Sequence, residues 1–254
     1  MEPRDVTREL LKAVEAESGF PVHVREDANL ATVASVRLAR DPLPAHMISY
    51  RPDGKRVLDY LICYQCGFVL RHFAAPPEAR GDARSTVEGE AAVHELVRDL
   101  AGPEAAAQAE LTHLYLGGLI THVRSIPVGL RVAAWLAEHY PVLREQQEEA
   151  VLRELAEAQV SLEPRIREVT PEAVYRPTQA INAAYALFWA ERWGRRELAA
   201  PYRFAGHDAA GGALLKLWHE VPAGPEYDRA LVDAWGAQLG ILGWYAWAPY
   251  QAPG

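Results

Sequence analysis

The chain has 254 residues, 50% of them apolar, and a formal net charge of -8. That length and apolar share can bury a substantial core, in one large domain or two small ones. An acidic balance with no Lys/Arg run argues against nucleic acid as a partner, no apolar run approaches the roughly 20 residues of a membrane span, and two cysteines do not make a secreted disulfide framework.

Lysine stands only at Lys12, Lys55 and Lys216, and every other basic residue is arginine, a bias that fits a GC-rich genome. The opening run MEPRDVTRELLKAVEAE is charged and helical in pattern, unlike a secretory signal, so a cytoplasmic address is expected.

Residues 3–18 predict an amphipathic helix with Leu10, Leu11 and Val14 on one face. Ala31 to Leu38 alternates and is β-rich. Asp41-Pro42-Leu43-Pro44 breaks it, and His46 to Tyr50 reads as a second strand. A turn at Pro52-Asp53-Gly54 leads into a helix from about Lys55 to Phe73, apolar on nearly every side. Ala74 to Arg84 reads as an exposed linker. Ser85, with Glu88 three residues on, predicts a capping box opening a helix.

The remainder is helical in pattern. Pro103 suits a first turn, and that helix runs to about Arg124. Pro127 opens the next, which stops before Pro141. Val142 to Leu162 is charged and amphipathic. Thr170-Pro171-Glu172 starts a further helix, and 178–193, 209–220 and 225–239 predict three more. The tail carries Trp244, Tyr245, Trp247 and Tyr250, a density that pins a terminus onto a core. These elements predict an α+β, mostly α fold: a small N-terminal antiparallel sheet packed on a central buried helix, followed by a helical array. A single domain over 1–254 is expected, with a strand-containing core segment at 1–74 and a helical body at 85–254.

The central helix carries Cys63-Tyr64-Gln65-Cys66-Gly67-Phe68. At about 100° per residue, Tyr64 and Phe68 share a face. Two histidines at that spacing grip a zinc ion, and a glutamate after the first activates its water. Here a phenol and a phenyl ring stand at the ligand positions, and Gln65, an amide, accepts no proton at neutral pH. Plain core aromatics are the alternative reading. Cys63 and Cys66 form a CxxC pair, but a redox pair needs a helix N-terminus, where the dipole lowers a thiol's pKa. These two lie inside the helix, where cysteine packs as a small apolar residue. A structural zinc site needs two further ligands, and the sequence supplies no second CxxC or paired histidine.

The strand–turn–helix order resembles minimal gluzincin-type zinc metallopeptidases of the ImmA/IrrE-like kind, in which an edge strand precedes the H-E-x-x-H helix and a later helix supplies a glutamate ligand. It also resembles a related bacterial group, in which an H-E-C-G-H-type run precedes a Leu-Arg pair, here Leu70-Arg71. In that group a later helix reads roughly Pro-Val-Asp-x-Arg-Ile-Glu-x-Trp and then Tyr-Pro-x-Leu-Arg-x-x-Gln. This chain has Pro127 to Trp135 (PVGLRVAAW) and Tyr140 to Gln147 (YPVLREQQ). Carried over residue by residue, the two histidines fall on Tyr64 and Phe68, the base on Gln65 and the ligand glutamate on Ala133. Cys66, Gly67, Arg71, Arg131 and Trp135 keep the framework.

The resemblance implies a non-catalytic, zincin-like binding or regulatory protein with no metal and no cofactor. A vestigial cleft lined by Tyr64, Gln65, Phe68, Arg71 and Ala133 would take a peptide, a protein or a small molecule. The alternatives are a thiol-active protein using Cys63 and Cys66, and an interaction scaffold using the 142–162 helix and the tail.

Other candidates read as structural. His113 and His122, nine residues apart, fall about 180° apart on one helix. Asp208 suits an N-cap, and His219 a C-terminal cation. Gly211-Gly212 is too bare for a phosphate loop, and no G-x-S-x-G elbow occurs. Arg71, Arg124 and Arg131 need a carboxylate or backbone carbonyls, with Asp59 and Glu138 as possible partners.

Overall fold

The computed structural model describes residues 4–101 and 104–253, so the first-turn role expected of Pro103 lies outside the described residues. The elements run α1 (Asp5–Ser18), β1 (Val22–Glu26), β2 (Ala34–Arg37), β3 (His46–Tyr50), α2 (Leu58–Ala74), β4 (Gly81–Ser85), α3 (Val87–Ala101) and α4 (Ala105–His139). Then come α5 (Arg144–Gln159), α6 (Pro164–Val169), α7 (Glu172–Trp193), α8 (Ala200–Phe204), α9 (Asp208–Glu220), α10 (Asp228–Gln238) and β5 (Tyr245–Pro249). The fold is α+β and mostly α, as the periodicity predicts. Contacts group the chain into two compact units. One comprises Met1–Gly81, Arg131–Arg153 and Pro249–Gly254; the other comprises Asp82–Leu130 and Glu154–Ala248.

In the first unit, β2 and β3 pair antiparallel, with Val36 opposite Ile48. The sheet has a third strand. β1 pairs in parallel with β3, Val24 opposite Ile48, so the strand order is β1-β3-β2 and the sheet is mixed. The VHVRE run of β1 is hard to see in the sequence because most of it stays exposed. A 3-10 turn over Pro52–Val57 replaces the expected start of the helix at Lys55. α2 ends at Ala74 because Pro76 drives Ala75 out of the helical region, to φ -69 and ψ 148.

An apolar surface all round marks α2 as a helix that must be covered on several sides. Cys63, Cys66 and Val69 on α2 are fully buried in one cluster with Leu10 and Val14 of α1, Ile48 of β3, and Val132 and Leu136 of α4. Gly67 makes the closest approach. A Cβ added there would collide with Cγ1 of Val132, so only glycine lets α4 cross at this distance.

One buried carboxylate ties this unit together. Asp59, in the first turn of α2, is nearly inaccessible to solvent. Its Oδ1 accepts the Arg4 backbone N–H at 2.9 Å and the Thr7 hydroxyl at 2.6 Å. Its Oδ2 lies 3.4 Å from Gln146 Nε2 and 3.5 Å from Arg4 Nε. Gln146 in turn accepts the Tyr60 N–H at 3.0 Å, satisfying one orphan donor at the start of α2. The negative charge also sits at the favourable end of the helix dipole.

In the second unit, Trp189, Tyr202, Trp235 and Ile181 are fully buried. α7 and α9 cross at small residues: a Cβ on Gly211 would stand 2.7 Å from Ala183 Cβ. The helices expected either side of Pro127 are one helix, α4, with the proline inside. Its missing N–H costs only one bond, to the Val123 carbonyl, and the indole N–H of Trp218 donates to the Pro127 carbonyl at 3.0 Å. Pro177 likewise lies inside α7, which joins two expected segments.

The expected linker contains β4, which pairs with β5 from the far end of the chain. Thr86, not Ser85, caps α3: its hydroxyl accepts the Gly89 N–H at 3.0 Å, and Ser85 bonds Glu90 instead. Asp208 is the first residue of α9 rather than its cap, and His207 holds the cap position without a side-chain bond. The aromatic tail is pinned as expected. Tyr245 and Trp247 both donate to Asp233 Oδ1, at 3.1 and 2.8 Å.

Two substitutions test this account. Gly67→Ala is expected to lower stability by about 1–3 kcal/mol through overpacking. Adding Val132→Ala should recover part of that loss, a coupling that a double-mutant denaturation cycle reads directly. Asp59→Ala leaves Thr7 and Gln146 donors unsatisfied, and is expected to cost roughly 3 kcal/mol by urea denaturation.

Candidate functional site

Tyr60, Tyr64 and Phe68 follow one another at i, i+4 and form a ladder of rings along α2. The centroids of Tyr60 and Tyr64 are 5.7 Å apart, and those of Tyr64 and Phe68 are 5.2 Å apart, at 90°. Edge-to-face contact of this kind is the favoured aromatic geometry. Tyr64, Phe68 and Arg71 are half-buried, whereas Gln65 is buried. The sheet lies alongside, with β2 and β3 packed on α2.

Ala133 follows directly on Val132, which meets Gly67, so the 131–133 stretch of α4 lies against the helix that carries Tyr64 and Phe68. The Ala133 side chain is buried, and its carbonyl accepts Gln147 Nε2 at 3.0 Å. The helix, the sheet beside it and the 131–133 stretch thus come together, while Ala133 itself is engaged with α5. Among the described residues, no three His, Cys, Asp or Glu side chains are grouped to hold a metal ion.

Cys63 and Cys66 are both free thiols and fully buried. Cys63 Sγ lies 3.7 Å from the Thr7 hydroxyl. Thr7 has a single proton, and that proton goes to Asp59 at 2.6 Å, so Cys63 donates its S–H to Thr7. Burial pushes the Cys63 thiol up to about 12, and the Asp59 carboxylate adds to the rise. Burial raises Cys66 as well, with Cys63 as the second cause. The thiolate is the reactive form, and this environment suppresses it at both sulfurs. Cys63 is also beyond the first turn of α2, where the helix dipole gives little help.

The other sequence candidates are dispersed. Arg124 pairs with Asp82 at 3.6 Å. Asp59 serves Arg4, Thr7 and Gln146 instead of Arg71 or Arg131. Burial lowers the pKa of His122. His207 rests edge-on to Tyr175 at 5.8 Å, and His219 against Trp218 at 5.1 Å.

The sequence reading passed over His46, the most buried histidine of the first unit. His46 is fully inaccessible, and its Nδ1 accepts the Ala39 N–H at 3.1 Å. Strand alternation could have located it, since His46 and Ile48 are two apart and so share the inward face of β3.

Compared with known proteins, the chain matches no family model, no curated protein and no solved structure. Among the described residues, no helix is long and apolar enough to cross a membrane.

Thiol labelling checks the cysteine geometry. In native protein both cysteines should react about a thousandfold more slowly than in urea-unfolded protein, with rates that follow global unfolding. Rapid native labelling of either would overturn the assignment of the pair to packing.

Proposed function

We propose that this chain is a non-catalytic, zincin-like binding or regulatory protein. The observation that carries the reading is the crossing at Gly67 and Val132. It brings the 131–133 stretch against the one helix that bears Tyr64, Gln65 and Phe68, with β2 and β3 alongside. That is the order of strand, central helix and later helix that the resemblance implies.

The four positions where such a peptidase needs two imidazoles, a general base and a ligand carboxylate hold two rings, an amide and a methyl group. Water activation by zinc requires ligands and a base that can accept a proton, and these residues offer neither. The half-buried faces of Tyr64 and Phe68, with Arg71 one turn further on, would receive the ligand, a peptide or small molecule with an apolar part and an anionic group. A dithiol function fits less well, because both sulfurs are buried and held protonated.

The test restores the ligand set. The triple variant Tyr64→His, Phe68→His, Ala133→Glu should take up about one zinc per chain by elemental analysis, and its melting temperature should fall on chelation. The unaltered protein should carry no stoichiometric zinc and show no chelator shift. A folded triple variant that binds no zinc, or a stoichiometric zinc in the unaltered protein, would overturn the reading.

A further inference from the structure

His46 sits at the inner end of a short relay. Its ring lies edge-on to Phe20 and Phe73, with centroids at 6.0 and 5.4 Å. Nδ1 accepts the Ala39 N–H, so the neutral ring must carry its proton on Nε2, which is buried with no hydrogen-bond partner. The carbonyl of the same Ala39 accepts the hydroxyl of Tyr250 at 2.5 Å. Tyr250 also donates its backbone N–H to the Arg80 carbonyl at 3.2 Å and packs edge-on against His72 and Phe73, at 4.8 and 5.6 Å. The two polar groups of the Ala39 backbone therefore join the tail of the chain to the buried imidazole.

We propose that the segment around Tyr250 is an acid-released strap, latched through the Ala39 backbone onto the neutral imidazole of His46. Protonation turns Nδ1 from acceptor to donor and sets it against the Ala39 N–H. It also places a cation between two phenyl rings and away from solvent, where an uncompensated charge is costly. Ala39 must then shift, and its carbonyl leaves the Tyr250 hydroxyl.

The elements packed around the ring carry Asp5, Arg8, Glu9, Lys12, Glu15 and Glu17 on α1, His23, Arg25 and Glu26 on β1, Arg37 on β2 and Tyr50 on β3, with Arg40 beside Ala39; α2 adds Asp59, Cys63, Cys66, Arg71 and His72, with Arg80 after it. Burial is what disfavours the charged ring, lowering His46 from its ordinary 6.5 to about 4. The folded state thus prefers the neutral form. The latch has its full strength above about pH 6.5 and is lost as pH falls through about 4.

Hydrogen exchange of the full chain, corrected for the intrinsic pH dependence of the chemistry, tests this. The peptide covering residues 246–253 should lose protection by about tenfold or more between pH 7 and pH 4 while helical circular dichroism is unchanged. Tyr250→Phe should show the loosened tail already at pH 7. His46→Gln can still accept the Ala39 N–H but does not titrate, and should hold the tail at both pH values. If that variant does not fold, ring resonances of His46 in the unaltered protein decide: titration in step with tail release supports the strap. Release only with global unfolding, release unchanged in a folded His46→Gln, or a His46 titration out of step with the tail would overturn it.

Discussion

Asp59 is the constraint on which the first unit depends. A carboxylate taken out of water must be met by donors or it destabilises the fold by several kcal/mol. Here the donors come from separate places in the chain: the Arg4 backbone and Thr7 at the N-terminus, and Gln146 far downstream. Satisfying one anion therefore fixes where α1 and α5 lie on α2. The same charge reaches into the candidate chemistry. Thr7 gives its proton to Asp59, which leaves Cys63 to act as donor, and the negative charge beside the thiol opposes its ionisation. An arrangement that holds helices together is for that reason a poor one for nucleophilic sulfur.

Given that anchor, α2 has little freedom. Its sequence is apolar on nearly every side, and its buried residues include Leu61, Ile62, Cys66 and Val69. Gly67 leaves out a side chain that would keep α4 at a distance. The crossing is made by a missing Cβ against a stiff β-branched valine, so the two helices cannot slide past each other without collision. That rigidity matters for the proposed site, because a ligand meeting Tyr64, Phe68 and Arg71 would meet a surface whose spacing is set from below by packing.

Much of this was legible in the residues. The central helix, the β2–β3 pair and the pinned aromatic tail all follow from periodicity and composition, which are local signals. The misses have a common cause in nonlocal partners. β1 is a strand because β3 offers it a parallel edge, although VHVRE has no inward-facing apolar stripe of its own. β4 pairs with β5, some 160 residues further along the chain. Pro127 and Pro177 read as helix breaks, yet a proline removes one bond, and in a long packed helix neighbouring contacts outweigh it. At the candidate site, the shared helix face of Tyr64 and Phe68 was visible in the spacing, and the contact between their rings was not. The Asp59 hub was not, since nothing in the sequence says that Thr7 and Gln146 meet the same carboxylate.

The distribution of perturbed groups bears on what kind of protein this is. Catalytic centres gather shifted acids, bases and nucleophiles in one accessible place. In the first unit the large shifts belong to Cys63, Cys66 and His46, and in each case burial is the first cause. These groups face inward and are engaged with Thr7, the core or the Ala39 backbone. The half-buried groups on α2 include Tyr64, Phe68 and Arg71, two rings and a cation, and next to them the imidazole of His72. Rings and a guanidinium recognise shape, apolar surface and negative charge. Two thiols buried by packing, beside half-buried rings and a guanidinium on the same helix, are the physical basis of the proposed recognition role.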